Sequence, residues 1–175
     1  MRKRKILSND KPETTTVWIF PEDTFDDDID RNVLRRYSAD NSFQEIAIAP
    51  GKARTASIAK IDEESDLLYI KYVVPEKKQV NYTADVHGIT KIINTFLSKN
   101  KKAHYITLQT CDIRTGKYIE PLAKMVLFEL QGMERLWLKE IIIVVPENHK
   151  VEHEVKDSYA IVHRYLMVYE VVRKK

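Results

Sequence analysis

The stretch Ala103–Glu147, AHYITLQTCDIRTGKYIEPLAKMVLFELQGMERLWLKEIIIVVPE, decides the fold. It divides into an apolar run His104–Cys111, a polar corner Asp112–Lys117, an amphipathic run Tyr118–Leu130 and a second apolar run Trp137–Val145 closed by Pro146. The two apolar runs read as strands, being short, rich in β-branched and aromatic residues and bounded by polar or turn-forming residues. Between them Ile119, Leu122, Ala123, Val126, Leu127 and Leu130 fall on one helical stripe. A helix is therefore expected over 118–130, with Pro121 in its first turn, where a missing N–H is tolerated, and Gly132 at its end. Together these make a βαβ unit. The unbroken apolar character of Trp137–Val145 predicts a strand buried on both faces.

Upstream, Leu67–Val74 (LLYIKYVV) and the alternating Thr55–Ile61 flank the polar turn Asp62–Asp66 and predict a β-hairpin. A helix is expected over Ala84–Lys99, with Thr83 as its N-cap and Val86, Ile89, Ile92, Ile93, Phe96 and Leu97 on one face. Gly88 costs that helix ~1 kcal/mol relative to alanine, which predicts a frayed first turn. Ser42–Ala49 reads as a strand stopped by Pro50-Gly51, and Val17–Phe20 as a short edge strand or apolar clip. The acidic run Asp23–Asp30 starts like a calcium loop, but Arg31 stands where that loop needs glycine and Tyr37 where it needs a bidentate glutamate. Its better role is to open a helix over Ile29–Tyr37, acidic at the start and closed by Arg35 and Arg36. In the tail, Val151, Val155, Tyr159, Val162 and Leu166 step by about four as in a helix, followed by a strand over Leu166–Val172.

The expected architecture is α/β: a single domain with a mixed sheet and helices packed on one side, preceded by a polar, basic arm over 1–16. Residues 17–54 are expected as an N-terminal extension and 55–175 as the main domain. The 175 residues, 43% of them hydrophobic, suffice for one real core. A formal charge of +3, from 29 basic and 26 acidic residues, is too mild to call for nucleic acid. No apolar run approaches the roughly 18 residues of a membrane span, the charged N-terminus has no signal-peptide h-region, and the single cysteine, Cys111, fits a reducing compartment. A cytoplasmic protein is expected.

No phosphate-cradling glycine motif is present, and no cofactor is expected. His149 and His153 are four apart but lack the HExxH pattern and a nameable third ligand, so no metal site is expected. Cys111 reads as a small core residue, with a cysteine–histidine nucleophile pair as the competing reading. Asp112 is a general-base candidate with no acid or histidine beside it in sequence, or a turn aspartate. Thr115 lies between strand and helix, where it caps the helix or accepts a phosphate that meets the helix N-terminus. Arg114 and Lys117 are placed to pair with that phosphate or with an anionic ligand.

The order of these elements, with IDEESDLLYIKYV, a helix opened by Thr83 and Asp85, HYITLQT, the Thr115-Gly116 corner and IIIVVPE, resembles the STAS-like domains, the anti-sigma-factor-antagonist (SpoIIAA-like) group, over about 56–175. The resemblance implies a non-enzymatic bacterial regulatory module. In that family a serine or threonine after the central strand is phosphorylated by a partner kinase, and the phosphate controls binding to a regulatory protein. Carried over by position, the site is Thr115 with Gly116, flanked by Asp112, Arg114 and Lys117. The implied partners are a kinase or phosphatase and an anti-sigma-like factor, and a dimer is a further expectation. The alternative function is binding of a small anionic ligand or lipid at the same sheet edge.

Overall fold

The computed structural model describes residues 16–53, 61–73, 82–115, 118–147 and 163–173. In chain order they form β1 (Val17–Pro21), a 3-10 turn (Glu22–Thr24), α1 (Phe25–Tyr37), β2 (Phe43–Ala47), β3 (Leu67–Lys71), α2 (Tyr82–Lys99) and β4 (Tyr105–Thr110). There follow β5 (Ile113–Thr115), β6 (Tyr118–Glu120), α3 (Leu122–Leu130), β7 (Leu136–Glu147) and β8 (Arg164–Val171). Six strands make one mixed sheet in the order β1-β7-β8-β4-β3-β2, and β5 and β6 pair as a separate hairpin. All strands of the large sheet run one way except β8, which is antiparallel to both of its neighbours.

The α/β class with a mixed sheet therefore holds, but the helices occupy both faces rather than one. Alternation along β3 shows why. Leu68 and Ile70 enter a core with Ile106, Leu108 and Met167 that α2 and α3 cover through Ile89, Ile93, Phe96 and Val126. Leu67 and Tyr69 face the other way, into a core with Trp18, Ile142, Val144, Leu166 and Val168 that α1 closes with Ile29, Val33 and Leu34. A sheet with apolar side chains on both faces needs a layer on each. Each fully buried side chain of this size contributes about 1.5–3 kcal/mol.

Residues 17–54 are likewise no extension. β1 pairs in parallel with β7, Trp18 opposite Val144, and β2 pairs in parallel with β3, Gln44 opposite Leu68. This segment supplies both outer strands of the sheet and the whole α1 layer. The expected hairpin at β3 does not form in that register, because both edges of β3 are taken by β2 and β4, each parallel to it. Residues 54–60, the rest of that expected strand, lie outside the described residues, as do the arm 1–15 and most of the expected tail helix.

β7 is buried on one face only. Ile142 and Val144 are in the α1 core, while Ile141 and Ile143 stay exposed together with Val17 and Ile19 of β1. The core under α2 and α3 draws on β3, β4 and β8 and does not reach this corner of the sheet. The acidic run opens α1 as expected, with Asp26, Asp27 and Asp28 in its first turn and Arg35 and Arg36 in its last. The helix begins at Phe25, four residues before the expected Ile29, and Asp28 is held by Thr24 and Arg31, both at 2.6 Å.

Candidate functional site

Working residues of open α/β sheets gather at the carboxyl ends of the strands. Here that edge collects the ends of β3 and β4, the start of the reversed strand β8 and the N-terminal half of α1. Two polar clusters occupy it, one on each face.

On the α1 face, Asp30 accepts hydrogen bonds from Lys71 Nζ at 2.5 Å and from the Tyr69 hydroxyl at 3.1 Å. That hydroxyl also lies 2.6 Å from the Gln109 side-chain carbonyl, and Lys71 pairs with Glu45 at 3.1 Å. Tyr69 and Gln109 are buried. Burial, and then the Asp30 carboxylate, push the Tyr69 phenol well above its ordinary range. Every charge in this cluster has an opposite charge beside it. The group is a strut that holds α1 on the sheet.

On the other face, Asp112 lies two residues beyond the end of β4. β8 starts beside it, since Thr110 pairs with Tyr165. The Tyr165 hydroxyl donates to Asp112 Oδ2 at 3.2 Å and lies 2.9 Å from His163 Nε2. The phenol has one proton and gives it to the carboxylate, so His163 Nε2 is the donor in the second bond. The two rings meet edge to face, 4.9 Å between centroids, and His163 Nε2 is 3.5 Å from Asp112 Oδ2. Burial and the Asp112 charge raise the Tyr165 phenol above its ordinary range. All three side chains are half-buried, so the cluster faces solvent from a fixed frame.

Asp112 thus has the histidine partner that its local sequence lacked. His163 and Tyr165 were missed because the strand was placed from Leu166 and the residues before it in a helix. The available signal was the alternation in His163-Arg164-Tyr165-Leu166-Met167, which puts histidine and tyrosine on one face of a strand.

The corner itself differs from the expected strand–Thr-Gly–helix junction. Ile113–Thr115 forms β5, paired antiparallel with Tyr118–Glu120, and α3 begins only at Leu122 with Pro121 as its cap residue. A proline drives the residue before it out of the helical region, so Glu120 stays extended and the helix starts beyond the ring. The backbone of Thr115 therefore lies in a hairpin strand, seven residues ahead of the start of α3. Arg114 pairs in register with Ile119. Gly116 and Lys117 lie outside the described residues, as do His149 and His153.

Cys111 is buried and, as the single cysteine of the sequence, forms no internal disulfide. Among the described residues no three His, Cys, Asp or Glu side chains are grouped to hold a metal ion. No described helix is long and apolar enough to cross a membrane. Comparison with protein-family models, curated proteins and solved structures finds no match to this chain.

Proposed function

We propose that the chain is a binding module, without catalytic chemistry of its own, that engages a regulatory protein through the corner beyond β4. The observation that carries this reading is the exposure of β6 in the small hairpin. Tyr118 is 77% exposed and Ile119 52% exposed, although neighbours in a strand point to opposite faces. Both faces of β6 are thus open to solvent at Tyr118 and Ile119, while Ile113 across the hairpin is anchored in the core. Exposed tyrosine beside an aliphatic residue is the kind of group that anchors protein interfaces, and the Asp112–Tyr165–His163 cluster supplies oriented polar contacts next to it. Phosphorylation of Thr115, in the same hairpin, adds a charge of about −2 beside Arg114 and so provides a means of regulating the contact. The cytoplasm is the compartment proposed for such a module.

The test is capture of a partner from the native host by wild-type protein, by Tyr118→Ser/Ile119→Ser and by a surface control, Phe128→Ser on α3. A partner held by wild type and the control but lost from the hairpin variant supports the reading. Capture that is the same for all three, or no partner with wild type, overturns it. A Thr115→Asp variant that binds as wild type does removes the phosphate from the proposal and leaves the interface standing.

One observation favours a small anionic ligand or lipid headgroup at this edge instead. The Thr110 hydroxyl, fully buried opposite Tyr165, has no hydrogen-bond partner among the described residues, and buried hydroxyls ordinarily have one. Inorganic phosphate that shifts the amide resonances of Thr110 and Tyr165 in a titration favours this second reading. Unchanged resonances at millimolar phosphate exclude a simple anion site.

A further inference from the structure

The opposite edge of the sheet, where the parallel strands begin, carries a cavity of about 330 Å³. Along this edge the sheet order places the end of β8, the start of β4, the start of β3 and the start of β2 in a row. The residues lining the cavity follow that row: Arg173 beyond β8, His104 before β4, Asp66 before β3, and Ser42 with Asp40 before β2. Arg173 with the His104 imidazole stands at one end and the acidic Asp40 at the other.

The frame is rigid, and Asp66 makes it so. Its carboxylate accepts from the Ser38 hydroxyl at 2.8 Å and from the backbone N–H groups of Ala39 at 2.6 Å and Asp40 at 3.3 Å. Its own N–H donates to the Ser42 carbonyl at 2.7 Å, and its carbonyl accepts from the N–H groups of His104 at 2.7 Å and Tyr105 at 3.2 Å. Asn41 turns the 38–42 loop back toward the sheet with φ of 53°, a left-handed conformation that asparagine tolerates better than most residues. On the other side, Val171 N–H donates to the His104 carbonyl at 2.9 Å, which brings Arg173 alongside His104. Lys102 is already paired with Glu64 on the rim.

With Asp66 saturated, the polar groups left facing the cavity are the charged Asp40 and Arg173 and the His104 imidazole. None of the three side chains has an ion-pair or hydrogen-bond partner among the described residues. An ion of either sign entering here meets a like charge at one end, whereas a molecule with an ammonium group and a carboxylate meets complementary charge at both. The separation sets its length. Strand spacings of about 4.8 Å put β4 and β2 about 10 Å apart and β8 and β2 about 14 Å apart, and the arginine and aspartate side chains shorten the gap from both sides. At about 3.5 Å per extended residue, a free amino acid is too short to reach both ends and two or three residues fit. A cavity of this size lies at the small end of the range of roughly 300–1,000 Å³ for ligand sites.

We infer that this edge is a binding site for a short peptide with free termini, a di- or tripeptide, its ammonium at Asp40 and its carboxylate at Arg173 and His104. This site is independent of the hairpin corner, which lies at the other end of β4 and β8.

The test titrates triglycine into the full-length protein while amide resonances are followed by NMR. Shifts at His104, Arg173 and Asp40, saturating in the millimolar range or below, are expected. N-acetylated triglycine and triglycine amide should each bind at least tenfold more weakly, and so should unblocked triglycine to Asp40→Asn and to Arg173→Gln. These are exposed positions whose substitution leaves the Asp66 frame intact. Acetate or free glycine matching triglycine overturns the assignment, as does indifference to blocking both termini or the absence of any shift at these residues.

Discussion

The backbone of Ala53 lies directly against Gly88 in the second turn of α2. A methyl group on Gly88 would come within 2.5 Å of the Ala53 carbonyl carbon and 2.6 Å of its oxygen. The glycine that weakens this helix is thus the price of bringing the loop after β2 onto the helix. Helix propensity alone makes Gly88→Ala stabilising by about 1 kcal/mol. The clash is with backbone, which cannot turn aside as a side chain does, so the expected result is net destabilisation of about 1–3 kcal/mol. Urea unfolding of the two proteins checks the sign.

Asp85, one turn earlier, holds the same loop from inside. It is 1% exposed, and its carboxylate accepts from Gly51 N–H at 2.5 Å, Ala53 N–H at 3.1 Å and the Tyr72 hydroxyl at 2.7 Å. Asp85→Ala leaves two buried donors, the Ala53 N–H and the Tyr72 hydroxyl, and the part-buried Gly51 N–H without an acceptor, and each unsatisfied buried group costs about 1–3 kcal/mol. The variant should lose at least about 2 kcal/mol. Asp85→Asn keeps one acceptor oxygen and should lose less. Equal loss in both, measured by denaturant unfolding, contradicts the role assigned to the second oxygen.

Much of this was legible where the signal is local. Residues 105–110 and 136–147 announce strands by composition, and 84–99 a helix by spacing, and each was placed within a few residues. Two kinds of feature were not. The neighbours of β3 are set by which strands compete for its edges, and the hairpin reading of 55–74 had no means of knowing that β2, some twenty residues earlier, pairs with it in parallel. The site is non-local for the same reason, since Asp112 meets His163 and Tyr165 only because β8 returns beside β4 more than fifty residues later. At the corner the decisive signal is local: a helix over 118–130 needs Pro121 in its first turn, with Tyr118 already helical before it. The restriction proline places on Glu120 was the sign that the chain is still extended there.

The strut between α1 and the sheet gives a third prediction. Lys71→Met removes a cation from Asp30, which is 5% exposed, and breaking one side of a buried pair typically costs about 3–5 kcal/mol. Lys71 also pairs with Glu45, which is more exposed, so the loss should sit at the lower end of that range. Asp30→Asn in the Lys71→Met background should recover most of it, because an amide can stay near Tyr69 without a buried charge. A double variant no more stable than Lys71→Met alone would show that packing, and not the charge on Asp30, sets the cost.

Four buried tyrosines make alkaline stability the last and most direct check. Tyr37, Tyr69, Tyr72 and Tyr169 are each held above the ordinary tyrosine range, in every case chiefly by burial. In the folded protein they keep their protons where the unfolded chain, with a phenol pKa of about 10, has begun to lose them. The unfolded state then binds fewer protons, so stability is unaffected below about pH 9 and falls as pH rises through 10, by about 1.4 kcal/mol per pH unit for each such residue. Tyr169 isolates the effect. Its hydroxyl is buried with no hydrogen-bond partner among the described residues, so Tyr169→Phe removes an unsatisfied polar group with little change of shape. The variant should match or exceed wild type by up to about 1 kcal/mol at neutral pH, and its advantage should widen above pH 10. Circular dichroism followed alongside tyrosinate absorbance tests both parts: wild type should expose a share of its nine tyrosines only as it unfolds, and the variant should unfold at higher pH. An alkaline midpoint unmoved by Tyr169→Phe would mean that this phenol ionises without leaving the core.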